Sequence, residues 1–79
     1  MKHLIKLKNI EEIVYYPADG FNLGNKPYLV IVKTSGERVG LYFKTDEEAE
    51  TVYNYVKDNS HKLIELEVVK GFSKLIWYN

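Results

Sequence analysis

The chain has 79 residues and no cysteine, and its eleven basic residues balance its eleven acidic residues. A chain of this length is expected to form a single domain over residues 1–79, with one modest core and no disulfide or thiolate metal site to support it. The zero net charge disfavours a nucleic-acid-binding domain of the strongly basic kind.

The first residues, MKHLIKLK, place lysines where a secretory signal needs an uninterrupted apolar stretch. No part of the sequence approaches the roughly 18 apolar residues of a membrane span. We therefore expect a cytoplasmic protein with no membrane partner. The preference for lysine over arginine and the abundant tyrosine, asparagine and isoleucine are typical of AT-rich bacteria and their phages.

Two strands and a long loop are predicted in the amino-terminal third. Alternate residues of HLIKL (3–7) form a mostly apolar side and a side with lysine, and the lysines in and beside this segment are typical of an edge strand that avoids pairing with other chains. IVYY (13–16) predicts a second strand. Asn9 and Glu12 have a spacing that could instead cap one helical turn between them. PADGFNLGNK (17–26) is predicted to be a loop, either functional or a solvated connector.

The next segment predicts a hairpin whose register depends on the length of its turn. If Ser35 and Gly36 are the two turn residues, Ile31 faces Gly40. Alternation then predicts a core face made of Tyr28, Val30, Val32, Val39, Leu41 and Phe43. The opposite, exposed surface receives Leu29, Ile31, Lys33, Arg38, Gly40 and Tyr42, and is apolar in the middle and basic at the hairpin tip.

A helix from about Asp46 to Asp58 follows. Thr45 and Glu48 have the spacing of a capping box, and the acidic residues of the first turn complement the helix dipole. The buried stripe is predicted to be Ala49, Val52, Tyr53 and Val56. The segment 45–61 has one basic and five acidic residues, and an acidic outer face is predicted at Glu47, Glu50, Asn54 and Asp58, either for docking a basic partner or simply solvated.

The carboxy-terminal segment predicts a second hairpin, with Lys70 and Gly71 as its turn. In that register Leu66 meets Leu75, Ile64 meets Trp77, and Glu67 meets Lys74 as an opposite-charge pair.

These elements predict an α+β fold: an antiparallel sheet of five or six strands with one helix packed on one face, in the order β-β-β-β-α-β-β. A helix about 10 Å wide cannot cover a flat sheet of some 20 to 25 Å. Either the sheet curls around its own side chains, or part of it stays open for a partner.

Gly40 is the most informative single residue, because glycine weakens a strand interior. It could leave a shallow apolar dent that another backbone or ring approaches, or it could serve a β-bulge or a bend in the sheet.

Catalytic and metal-binding patterns are weak. His3 and His61 are far apart in sequence, and the acidic residues of the helix lack EF-hand or zinc spacing. We therefore expect no enzyme, no cofactor and no metal site.

The sequence favours a small protein-interaction module, such as a bacterial or phage inhibitor or regulator of a larger protein, or a homodimer. The predicted binding residues are Leu29, Ile31, Lys33, Arg38, Gly40 and Tyr42. The alternative is single-stranded nucleic-acid binding, with bases stacked on aromatic rings and lysines along the phosphates.

Overall fold

The computed structural model describes residues 2–18 and 26–76. Its elements are β1 Lys2–Leu7, β2 Ile10–Tyr16, β3 Tyr28–Lys33, β4 Arg38–Tyr42, α1 Asp46–Asp58, β5 Ile64–Val69 and β6 Phe72–Leu75. The predicted α+β class and element order are confirmed. Most of the predicted loop at 17–26 lies outside the described residues.

The six strands form one sheet in the order β1-β5-β6-β4-β3-β2. Neighbouring strands are antiparallel except β4 and β6, which run parallel and pair only at Tyr42 and Phe72. The sheet therefore consists of two three-stranded antiparallel units, β2-β3-β4 and β6-β5-β1, that join at this one position.

The sheet curls, and its first connection shows why. β1 and β2 lie at opposite edges of the sheet, yet only Lys8 and Asn9 separate them. Three peptide steps span at most about 11 Å, whereas six flat strands would hold these edges about 24 Å apart. The two edges must therefore curve toward each other, which resolves the mismatch between one helix and a wide sheet.

Asn9 makes the tight turn between the two edges. Its φ of 58° lies in the left-handed region, which asparagine tolerates better than most residues, and its carbonyl oxygen accepts a hydrogen bond from the Thr34 N–H at 2.8 Å. β2 begins at Ile10, so the alternative of a helical turn here is wrong.

The helix spans the predicted residues. The Thr45 hydroxyl accepts a hydrogen bond from the Glu48 N–H at 3.2 Å, as the capping-box spacing predicts. Ala49, Val52 and Val56 are buried. The helix start is tied to β2 through Asp46, whose Oδ1 accepts the Tyr15 hydroxyl at 2.5 Å and the Ala18 N–H at 3.1 Å.

The core lies between the concave side of the sheet and the helix. Strands from both three-stranded units contribute to it, and its buried members are Leu7, Ile10, Leu29, Ile31, Leu41, Phe43, Ala49, Val52, Val56, Ile64, Leu66 and Leu75.

The carboxy-terminal hairpin has the predicted register. Leu66 lies opposite Leu75, and Glu67 lies opposite Lys74. Lys70 and Gly71 both have positive φ, at 53° and 84°, as a two-residue type I′ turn requires. The predicted partner of Ile64, Trp77, lies outside the described residues.

The β3–β4 hairpin departs from its predicted register by one residue. Val30 rather than Ile31 lies opposite Gly40. The loop has three residues, 34–36: the Lys33 N–H donates to the Glu37 carbonyl at 2.8 Å, and Gly36 adopts a φ of 92°. This pattern is that of a type I turn closed by a glycine bulge.

The shift reverses the predicted faces of β3, because a one-residue slip exchanges the two sides of a strand. Leu29 and Ile31, predicted to be exposed, are both 0% exposed in the core. Tyr28, Val30 and Val32, predicted to be core, are half-buried on the outer side. For β4 the predicted faces are correct, since Leu41 is buried and Arg38, Gly40 and Tyr42 are exposed.

A candidate interaction surface on the outer side of the sheet

The outer side of β2, β3 and β4 is the candidate site, and it is here called the outer meander face. The strand registers arrange its nine residues in three rows: Tyr16, Tyr28 and Tyr42; Val14, Val30 and Gly40; Glu12, Val32 and Arg38. Seven of the nine are apolar or aromatic or glycine, and the two charged residues stand at opposite ends of the last row.

A bulge in β2 helps to form the last row. Glu12 rather than Glu11 lies opposite Val32, because the register shifts between Ile10 and Glu12. One extra residue in one strand is the definition of a β-bulge. The shift keeps Ile10 in the core while Glu12 joins the outer side.

Three tyrosines line up across neighbouring strands. The rings of Tyr16 and Tyr28 stack at a centroid distance of 4.6 Å and an interplanar angle of 13°. Tyr28 and Tyr42 lie 5.4 Å apart with their rings tilted by 41°. The row continues to Phe72 through the single β4–β6 pair, and the Lys26 ammonium lies 5.9 Å from the centre of that ring.

The stacking decides which parts of these rings a partner can reach. Tyr28 has a neighbouring ring on each side, at about the spacing between adjacent strands. A ring face that is turned toward the neighbouring strand is not available to a ligand that approaches from solvent. Tyr16 and Tyr42 remain 38% and 49% exposed. Tyr28 therefore offers mainly its ring edge, which suits apolar contact and hydrogen bonding through the phenol.

Gly40 lies in the second row, in a regular part of the β3–β4 ladder. Its pairing with Val30 is regular, so the bulge interpretation is wrong. Its φ is not positive, whereas Gly36 and Gly71 have positive φ. A β-carbon added at Gly40 would meet no atom within 4 Å among the described residues. The structure therefore has room for a side chain at this position.

The structure separates the six residues predicted to bind a partner. Arg38, Gly40 and Tyr42 lie together on the outer meander face. Leu29 and Ile31 are in the core and cannot contribute to a surface. Lys33 lies at the end of β3, where its ammonium group pairs with the Glu37 carboxylate at 2.9 Å.

The prediction missed five apolar residues of the face: Val14, Tyr16, Tyr28, Val30 and Val32. For the last three, the sequence of the loop is compatible with the observed register but does not distinguish it from the predicted one. Thr34, Ser35 and Gly36 fit a three-residue turn with glycine last.

The weaker predicted site, the outer side of the helix, is exposed as expected. Glu47, Glu50, Asn54 and Asp58 all face solvent. Asp46 is not part of this surface because its carboxylate holds Tyr15 and Ala18.

No group of three or more potential metal ligands occurs among residues 2–18 and 26–76. A hollow of about 330 Å³ beside Phe72 is lined by charges of both signs, from Lys44, Lys74, Glu48 and Glu67.

Comparison with protein-family models, with curated proteins and with solved structures found no match. None of the described helices has the length and apolar character needed to cross a membrane.

Proposed function

We propose that the protein is a non-enzymatic protein-interaction module that acts through the outer meander face, either by self-association or as a regulator or inhibitor of a larger protein. The observation that carries this proposal is the composition of the face. Three tyrosines, three valines and a glycine adjoin on three paired strands, on the side away from the core.

Physical chemistry favours a protein partner for such a face. Tyrosines are enriched at protein interfaces because each buries a large apolar ring while its hydroxyl keeps a polar partner. Val14, Val30 and Val32 are β-branched and stiff, so ordering them against a partner costs little conformational entropy. Gly40 lets a partner approach the strand backbone closely.

Single-stranded nucleic acid is the second candidate, favoured by the row from Tyr16 to Phe72 with Lys26 beside its end. Such ligands bind by laying bases flat on aromatic rings. The Tyr16–Tyr28 stack opposes this mode because each ring already covers a face of the other. The protein partner is therefore the better supported of the two.

The first test is affinity capture with the wild-type chain and two lysine variants. Gly40→Lys places a charge in the second row of the outer meander face, where a β-carbon has room. Leu63→Lys adds the same charge at a residue that is 51% exposed and lies outside the face. Circular dichroism and thermal melting first establish that both variants fold.

The proposal predicts that Gly40→Lys loses a captured protein, or loses self-association, which Leu63→Lys retains. If Gly40→Lys keeps every partner, or if the wild-type chain neither captures a protein nor self-associates, the proposal is wrong.

The second test addresses nucleic acid directly. Fluorescence anisotropy of a labelled oligothymidine is measured at low and at moderate salt. The protein-interaction proposal expects no binding at low salt. Binding that weakens with added salt, and that is lost in Tyr42→Ala, would replace the proposal by the nucleic-acid alternative.

A further inference from the structure

We infer that the partner of the outer meander face is a second copy of this chain, because Glu12 and Arg38 flank Val32 so that the face is complementary to itself. This inference rests on the proposed interaction function and specifies its partner.

The required geometry is a two-fold axis that lies in the interface and runs along β3. Such an axis places β3 over β3 and exchanges the flanking strands, so β2 of each copy lies over β4 of the other. Two-fold symmetric dimers use the same patch on both copies, which demands this kind of self-complementarity. Two sheets packed with nearly aligned strands form a standard sandwich arrangement.

The last row then forms two ion pairs. Glu12 and Arg38 are the β2 and β4 neighbours of Val32. The two-fold axis brings Glu12 of each copy opposite Arg38 of the other. Among the described residues, the ion pairs within the chain are Lys2–Glu67 and Lys33–Glu37, so neither Glu12 nor Arg38 is engaged in one.

In each of the other two rows, the residues of one copy can also face the same row of the second copy across the two-fold axis. Val14 of each copy lies opposite Gly40 of the other, so no two side chains compete for the same space there. Tyr16 lies opposite Tyr42, and Val30 lies opposite Val30. No row places like charges opposite each other.

The curvature of the sheet explains why the charges stand on the outer strands. The core lies on the concave side, so the outer meander face is convex and its flanking strands fall away from a partner. Val30, Val32 and Tyr28 lie along the axis, where the two sheets come closest. Glutamate and arginine have the long side chains that can bridge the wider gap at the sides.

The size of the face predicts a weak dimer. Three strands of five residues cover about 17 by 14 Å, or about 240 Å² in projection. This is far below the roughly 800 Å² per partner of a standard interface. We therefore expect a reversible dimer with a dissociation constant of roughly 10 to 100 µM, in the class of small transient contacts.

The test is a pair of charge reversals, Glu12→Arg and Arg38→Glu, studied separately and mixed. Each variant alone places like charges opposite each other at both positions. Mixing the two restores both ion pairs in the heterodimer, because one copy then carries only arginine at these positions and the other only glutamate. Sedimentation velocity is run from about 10 µM to about 1 mM, where mass action reveals weak dimers.

The inference predicts a concentration-dependent dimer for the wild-type chain and an increase in the dissociation constant of about tenfold or more for each reversal. The equimolar mixture, and the double variant alone, should recover dimerisation. Because each variant also serves in the mixture, recovery shows that it is folded. Gly40→Lys should reduce dimerisation, and Leu63→Lys should not.

Two results would overturn the inference. One is a wild-type chain that stays monomeric at about 1 mM, well above the expected dissociation constant. The other is a dimer that both reversals leave unchanged, which would place the contact elsewhere. If the chain is monomeric and yet captures another protein that Gly40→Lys loses, the interaction function stands and only the identity of the partner is wrong.

Discussion

The two hairpins of this protein begin from nearly the same sequence signal and end with different outcomes. Each connects its strands through a residue followed by glycine, Ser35-Gly36 in one case and Lys70-Gly71 in the other. At Lys70 and Gly71 both φ angles are positive, so the turn has two residues. At the first hairpin only Gly36 has positive φ, and Thr34 joins the loop.

One additional loop residue changes the register of a hairpin and therefore which side chains are buried. In β5–β6 the two-residue turn puts Leu66 opposite Leu75, both in the core. In β3–β4 the additional loop residue moves β3 by one position relative to β4. Leu29 and Ile31 enter the core as a result, and the valines and Tyr28 form the outer side. The candidate binding surface exists because of this single residue.

The largest difference in stability is expected between variants that shorten side chains on the two opposite sides of β3. Ile31→Ala removes a fully buried side chain and should destabilise the protein by about 2 to 5 kcal/mol. Val30→Ala removes a half-buried side chain on the outer side and should cost about 1 kcal/mol or less. Urea unfolding followed by circular dichroism measures both.

If Val30→Ala lowered the free energy of unfolding more than Ile31→Ala, the register described above would be wrong, and the two-residue turn predicted from the sequence would be right. Leu66→Ala, at a fully buried position of β5, serves as the reference for an undisputed core residue.

The second prediction compares the glycines of the first hairpin. Gly36→Ala forces a side chain into a φ of 92° and should cost about 1 to 2 kcal/mol. Gly40→Ala adds a β-carbon in open space at a position without positive φ, and should be neutral or stabilise by up to about 1 kcal/mol. Thermal melting of the two variants and the wild-type chain gives the order of their stabilities directly. A substantial loss of stability in Gly40→Ala would show that the fold itself needs this glycine.

The smallest effect is expected at the second hairpin. Lys70 occupies the first position of a type I′ turn with a φ of 53°, where asparagine is preferred. Lys70→Asn should therefore stabilise the protein by a few tenths of a kcal/mol and at most about 1 kcal/mol. Thr34→Asn is the matched substitution in the three-residue loop, and it should not stabilise the protein in the same way. Equal gains in both variants would mean that the two turns do not differ as described.

Local rules predicted most of the helix and the second hairpin. The Thr45 cap and the spacing of Ala49, Val52 and Val56 depend only on neighbours along the chain, so their helical positions could be inferred from the sequence. The same holds for Lys70 and Gly71. The prediction failed at β3 because both possible loop lengths satisfy the local turn chemistry of Ser35 and Gly36.

Local signals in the sequence, namely apolar periodicity, caps and glycine turns, were enough to predict the type and order of the elements and a sheet of five or six strands. Only the tertiary structure decided which side of β3 is buried and how the sheet is ordered. The Lys8–Asn9 connection draws β1 and β2 together across a curled sheet, and the enclosed core then takes Leu29 and Ile31. Residues distant in sequence decided which side of β3 is buried. The free energy gained by burying apolar side chains depends on how well they fill the closed core, and one strand considered alone does not reveal it.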